Sequence, residues 1–209
     1  MTPGKFITLE GGEGVGKSTQ RQALAQILRT IGLQVTETRE PGGSPGAEAI
    51  RKLLLEGEVD RWTSETEALL FAAARADHVA RTIRPALDHG NWVICDRYID
   101  STIAYQGGAG GVSVSGILEL HRFGTGGLMP DRTLLLDMPL YDAAFREYAR
   151  DSGDLDRFGR KSGAYHNALS ETFKQLAAGD PKRFRTIDAR GAPDEVSGRC
   201  LAALADLLP

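Results

Sequence analysis

Phe6-Ile7-Thr8-Leu9-Glu10-Gly11-Gly12-Glu13-Gly14-Val15-Gly16-Lys17-Ser18 places a short apolar run directly before a segment of the form G-x-x-x-x-G-K-[ST], the phosphate-binding loop. The apolar run reads as a buried strand. The glycines let the backbone fold tightly and turn several N–H groups inward, where no Cβ obstructs an anion. Lys17 adds a point charge, and Ser18 supplies a hydroxyl for the Mg²⁺ that accompanies a nucleoside triphosphate. A helix starting there directs its positive dipole end at the phosphates. Leu24, Ile27, Leu28 and Ile31 recur at helical spacing and Gly32 closes the run, so the order is strand, loop, amphipathic helix. Binding of a nucleoside triphosphate is the expectation.

The chain has 209 residues, most simply one domain over 1–209, with 25 Lys+Arg against 28 Asp+Glu and a formal charge of −3. No global basic field argues for a nucleic-acid polymer as partner. No apolar stretch reaches the roughly 18 residues that span a bilayer, so no membrane partner is expected. The two cysteines, Cys95 and Cys200, lack metal-ligand spacing, and no secretory leader is visible; a cytoplasmic location fits.

Strand-like runs at Phe6 to Glu10, Leu33 to Thr38, Trp92 to Asp96, Thr133 to Asp137 and Phe184 to Asp188 alternate with helical patterns. Such alternation indicates an α/β protein, a parallel sheet of five strands with helices on both faces. Ser64 and Glu67 have capping-box spacing at a helix start, and Pro85 is expected to kink or divide that helix. The cluster Gly107 to Gly111 reads as a flexible loop, and Asp151-Ser152-Gly153-Asp154 as an interruption between helices. In an open sheet ligands sit beyond the carboxyl ends of the strands. Glu10, Glu13, Arg39, Asp96, Arg97 and Asp137 fall there. An Asp facing the phosphate loop can orient the waters of a metal, and the adjacent Arg97 offers a bidentate fork to a phosphate.

Further segments carry a resemblance. Glu10 to Gln20, Thr38-Arg39-Glu40-Pro41-Gly42-Gly43, Leu69-Leu70-Phe71-Ala72-Ala73-Ala74-Arg75, Asp96-Arg97-Tyr98 with Ser101-Thr102-Ile103-Ala104-Tyr105-Gln106-Gly107, Gly127-Leu128-Met129-Pro130-Asp131 and Asp156-Arg157-Phe158 resemble the thymidylate kinase family over nearly the whole chain. The resemblance implies the P-loop NTPase fold with a short lid at about 141–162, and transfer of the γ-phosphoryl group of Mg²⁺-bound ATP to dTMP, giving dTDP. Gly11, Gly12, Glu13, Gly14, Val15, Gly16, Lys17, Ser18 and Thr19 would bind ATP, with Ser18 and Asp96 at the metal. Phe71 would stack on thymine, Arg75 would donate to a thymine carbonyl, and Ser101 and Gln106 would lie near the polar edge of the base. Tyr105 would sit against the sugar's 2′ carbon. Glu13 would accept from the 3′-hydroxyl, and Arg97 with Arg39 would hold the acceptor phosphate.

Within the lid, Arg146, Arg150, Arg157, Arg160 and Lys161 are balanced by Asp142, Glu147, Asp151, Asp154 and Asp156, a pattern that a solvated, salt-bridged helix pair would also show. The loop carries Gly14-Val15 where some family members place an arginine, so the resemblance is to the bacterial subgroup whose lid supplies catalytic arginines. Arg150 and Arg157 match that pattern; with Lys17, Arg97 and Glu13 they form the expected catalytic set. Gly159 departs from the family, which commonly has Glu after Asp-Arg-aromatic. The family is homodimeric, and Ser64 to His89 is a plausible contact face. Two other readings are a kinase for a different monophosphate and a nucleotide-dependent switch. The switch would need an Asn-Lys-x-Asp guanine motif, and neither Asn91 nor Asn167 is followed by Lys.

Overall fold

The computed structural model describes residues 4–151 and 156–209, and the side chains of 147–151 lie outside the description. Five strands, β1 (Phe6–Glu10), β2 (Val35–Arg39), β3 (Trp92–Asp96), β4 (Arg132–Asp137) and β5 (Phe184–Asp188), form one sheet in the order β2-β3-β1-β4-β5. Every pairing is parallel. β1 and β3 are buried at all positions, as near-continuous apolar runs in a sheet covered on both faces should be. Alternate β1 side chains face opposite ways. Ile7 and Leu9 pack with Leu24 and Leu28 of α1 (Lys17–Thr30) and Val196 and Cys200 of α9 (Pro193–Ala202). Phe6 packs on the other side with Val79, Ile83 and Tyr98. Both cysteines are buried free thiols. No helix of the described residues is long and apolar enough to cross a membrane.

Local departures from the sequence reading have physical causes. The helix at residue 64 is α3 (Ser64–His78), but its N-cap is Thr63, whose hydroxyl accepts from the Thr66 N–H at 3.3 Å. The expected Ser64/Glu67 capping box is therefore absent, and Glu67 is turned inward and buried. Ahead of Pro85 the chain passes through a π-helical turn, Val79–Ile83, into α4 (Arg84–Asp88). The missing N–H of proline disrupts the regular ladder there. The glycine cluster is only partly a loop: α5 (Ile99–Thr102) continues as a π-helical segment, Ile103–Ala109. Gly108 sits so close to α8 (Gly163–Gly179) that a Cβ would lie 1.9 Å from Thr172 Oγ1. The glycine serves close helix packing rather than freedom.

The register aligns Leu9 and Arg39 with Asp96 across the sheet, so the strand-end charges share one edge. The segment after β3 is tied down from behind. Asp100, fully buried, accepts from Arg183 Nη1 at 2.5 Å and Nη2 at 3.0 Å, and from Thr133 at 3.3 Å. Two further helices complete the site's surroundings, α2 (Pro45–Leu55) and α6 (Val114–Thr125); α7 (Leu140–Asp151) begins the lid region, and residues 156–162 lead into α8.

Candidate active site

α1 starts inside the glycine loop. Its N-cap, Gly16, adopts φ 95° and offers no side-chain cap, so the first-turn N–H groups remain available to an anion. Gly11 stands at φ 134° and has no room for a side chain, since a Cβ would meet the Leu136 carbonyl at 2.4 Å. Lys17 is buried, and its Nζ donates to the carbonyls of Gly11 (3.1 Å) and Gly12 (2.5 Å). Burial, and then the charge of Arg97, lower its pKa, as expected where cations are gathered ahead of their anion. The Ser18 hydroxyl donates to Asp96 Oδ2 at 2.7 Å.

The Asp-Arg-Tyr segment is spliced onto this loop. Arg97 stands at φ 67°, a left-handed conformation that costs of order 1–3 kcal/mol in a non-glycine residue unless surrounding bonds impose it. The bonds are present: Nη1 donates to Gly11 O (2.9 Å) and Ser101 Oγ (3.1 Å), and Nη2 to Glu13 Oε1 (2.6 Å). Glu13 Oε1 also accepts from Tyr105 Oη at 2.9 Å. Although burial alone would raise the Glu13 pKa, Arg97 and Lys17 outweigh it and hold the carboxyl down at about 2. Glu10, fully buried at the end of β1, fixes the next turn: Oε1 accepts from the N–H of Tyr98 (2.8 Å) and Ser101 (3.3 Å), and Oε2 meets the Ser101 hydroxyl at 2.6 Å. Burial, with Asp100 adding to it, pushes the Glu10 carboxyl up to about 8.

These elements wall a cleft of about 520 Å³. From the loop come Glu13, Gly14, Gly16, Lys17, Ser18 and Thr19; from the strand ends, Arg39, Asp96 and Arg97; from the far wall, Phe71, Arg75, Ser101, Tyr105 and Gln106. Gly11, Gly12 and Val15 line a neighbouring hollow against α7 and α8. Arg75 is buried yet reaches the cleft. Its Nε donates to Glu40 (2.8 Å) and its Nη2 to Thr102 (2.7 Å) and Tyr98 O (3.2 Å), which leaves Nη1 without a protein acceptor among the described residues. Behind it, His78 bonds the other Glu40 oxygen at 3.0 Å and Thr38 at 2.6 Å. Phe71 lies 5.9 Å from Phe158 between ring centroids, and Tyr105 lies 5.8 Å from Phe158, edge-on.

One expected site residue lies elsewhere. Arg157, read as a catalytic lid arginine, is fully buried and absent from the cleft wall. Its guanidinium donates to the carbonyls of Glu58 (2.6 Å), Leu54 (2.7 Å) and Val59 (3.0 Å) and to Glu67 Oε1 (2.9 Å). Four of its five N–H groups are engaged at the corner between α2 and α3, so swinging the guanidinium to a catalytic contact would require breaking this set. Arg150 is on α7, and its side chain lies outside the described residues. Sequence reasoning also missed Arg51, which lines the cleft and donates to Pro41 O at 2.6 Å. Burial, and next the charge of Arg39, lower its pKa. It sits on α2 outside every motif, so no local pattern marked it. Phe158 and Asp156 line the same cleft. Among the described residues no cluster of three or more His, Cys, Asp or Glu forms a self-sufficient metal site.

The thymidylate kinase family model matches residues 9–199. The thymidylate kinase of Rhizorhabdus wittichii is 62% identical over 207 residues, covering 99% of this chain and 100% of that protein. That of Chromohalobacter salexigens is 50% identical over 209 residues, covering 100% and 98%. The crystal structure of the thymidylate kinase from Ehrlichia chaffeensis superposes with a TM-score of 0.77 at 32% identity, covering 97% of this chain and 100% of that one.

The burial of Arg157 generates a prediction. Arg157→Met should cost about 3–5 kcal/mol in urea unfolding, because it leaves buried Glu67 without its counter-charge. Turnover of the folded fraction, with both substrates saturating, should change by less than about tenfold. An arginine that meets the transferring phosphoryl group would instead be worth about 10³ to 10⁵, and a loss of that size would restore the catalytic assignment.

Proposed function

This chain belongs to the thymidylate kinase family, and from that premise we propose how its cleft phosphorylates dTMP to dTDP with ATP as donor. One observation carries the reading: Arg97 and Lys17 both donate to the Gly11 carbonyl, so the loop and the far-wall pocket share one cationic junction. The triphosphate lies along the uncapped start of α1, on the N–H groups of Gly11 to Thr19, with Lys17 as point charge. The donor base occupies a hollow of about 320 Å³ beside the loop, bounded by Arg146, Ala189 and Gly191. The Ser18 hydroxyl, by donating its proton to Asp96, keeps its lone pairs free. One hydroxyl and one carboxylate, completed by phosphate and water oxygens, suit Mg²⁺. When bound, that ion offsets charge on the donor phosphates.

In the acceptor pocket Phe71 stacks on thymine, and Arg75 Nη1 donates to a ring carbonyl. Ser101 and Gln106 stand at the polar edge, and Tyr105 closes the space beside the 2′ carbon. Glu13 Oε2, the oxygen not engaged by Arg97 and Tyr105, accepts from the 3′-hydroxyl. Arg97, Arg39 and Arg51 hold the acceptor phosphate. Its ionised oxygen attacks the γ-phosphorus in line, so no protein nucleophile is needed; the residues position the reactants and offset their charge. Arg150 is the lid arginine that meets the transferring group. A second copy of the chain covers the exposed Leu69 on α3 and Phe123 and Leu118 on α6, of which Phe123 is 93% exposed, giving a homodimer. Two buried free thiols and the absence of a membrane-spanning helix among the described residues accord with a cytoplasmic enzyme.

A coupled assay across dTMP, dUMP, dCMP, dGMP and dAMP tests acceptor and reaction together, with dTMP expected to be preferred. Lys17→Met should fold and lose activity by about 10² or more, on the scale of losing a preorganised charge at a transition state. Retention of more than about a tenth of the activity would contradict the donor site.

The pH dependence follows from Glu13. Its depressed pKa of about 2 means that its contribution is present above the ordinary carboxylate range and is lost only as pH falls through about 2. From pH 5 to 9 its charge is constant. The acid limb of kcat/KM for dTMP should therefore follow the second ionisation of the acceptor phosphate, near about 6, below the range in which buried Glu10 titrates at about 8. Glu13→Gln should raise KM for dTMP and leave the limb where it was. A limb that moves with the substitution would mean that Glu13 itself titrates.

A further inference from the structure

A buried polar chain runs behind the acceptor pocket. Glu67, 2% exposed, accepts from Arg157 Nη2 through Oε1 at 2.9 Å and from Gln106 Nε2 through Oε2 at 3.1 Å. Gln106 lines the cleft and is 1% exposed, and its Oε1 is buried with no hydrogen-bond partner among the described residues. A buried carbonyl left unpaired is costly, so something must impose the orientation. An ionised carboxylate can only accept. Facing Glu67, the amide must present its nitrogen, which leaves the oxygen to other company. Glu67 cannot turn away, because Arg157 is itself locked by the carbonyls of Leu54, Glu58 and Val59. Phe158, adjacent to Arg157, packs against Phe71 and Tyr105, so the same segment also shapes the pocket.

We propose that Glu67, held by Arg157, is a positioning residue that locks Gln106 as a hydrogen-bond acceptor at the base edge. The proposal rests on the acceptor-pocket reading above. The cleft then presents a donor, Arg75 Nη1, together with an acceptor, Gln106 Oε1. A pyrimidine whose ring N–H adjoins a carbonyl matches that pair. Cytosine carries an unprotonated ring nitrogen and an exocyclic amine at the corresponding positions, and so opposes acceptor to acceptor and donor to donor. A freely turning glutamine could serve either base. With Glu67 behind it, Gln106 serves one, and the mismatched base leaves buried groups unpaired.

The test is a pair of substitutions taken singly and together, Glu67→Gln and Gln106→Leu. Because Arg157 can only donate, glutamine at 67 turns its carbonyl to Arg157 and its NH2 to Gln106, which reverses the Gln106 amide and removes the acceptor from the base edge. Glu67→Gln should raise KM for dTMP by about tenfold and raise the dCMP-to-dTMP ratio of kcat/KM by a similar factor, the size of one lost polar match. KM for ATP and kcat should stay within about twofold. In the Gln106→Leu background the same change should add nothing to KM for dTMP, because Glu67 acts through Gln106. Additive effects, or equal weakening of ATP and dTMP, would make Glu67 a merely structural residue and overturn the proposal. If Gln106→Leu alone left KM for dTMP unaltered, the pocket reading itself would fall. Should Glu67→Gln not fold, ¹H–¹⁵N spectra of the unaltered protein decide. The Gln106 side-chain amide should show one N–H protected from solvent exchange, and a pair exchanging as fast as surface glutamines would overturn the proposal.

Discussion

The fork of Arg97 is the interaction on which the rest of the site depends. One guanidinium binds the Gly11 carbonyl at the mouth of the phosphate loop, the Glu13 carboxylate within it and the Ser101 hydroxyl on the far wall. Without it the loop and the acceptor pocket would be two neighbouring surfaces; with it they share a geometry. The fork demands a backbone that an arginine does not choose. The left-handed turn at Arg97 persists because Glu10 gathers the next N–H groups from below, and because Asp100 anchors the helix start through Arg183. Strain at the junction is thus held by buried polar bonds at the ends of β1 and β3.

The same economy recurs in the far wall. Arg75 and Gln106, the two groups aimed at a base edge, are each backed by a buried carboxylate, Glu40 and Glu67. Each carboxylate is in turn held by a second partner, His78 for Glu40 and Arg157 for Glu67. Groups that read a ligand act precisely only when their own rotamers are settled. The pocket therefore extends a layer deeper than the residues that touch the cleft.

Much of this was legible in the sequence, for reasons that also explain what was not. The loop and the strands Phe6–Glu10, Trp92–Asp96 and Phe184–Asp188 are local patterns, set by apolar runs and glycine spacing. The far-wall residues were reached only through family resemblance, since Phe71, Tyr105 and Gln106 in apolar surroundings look like ordinary core. Arg157 misled because its partners lie 98 to 103 residues away, as backbone carbonyls whose identity leaves no trace in composition. Glu67 misled because its spacing from Ser64 imitates a cap, while Thr63 had already taken that place. Arg51 gave no sign at all, as its role depends on how α2 docks rather than on its neighbours in sequence.

The most direct test of the account is Arg97→Lys, assayed with direct binding of ATP measured alongside. Lysine retains the charge but cannot span Gly11, Glu13 and Ser101 at once. If the fork joins the two pockets, kcat/KM for dTMP should fall by at least about 10², the scale of losing an oriented electrostatic contact, while ATP affinity stays within about threefold. A lysine variant with near-normal kcat/KM would show that charge alone suffices, and would contradict the account.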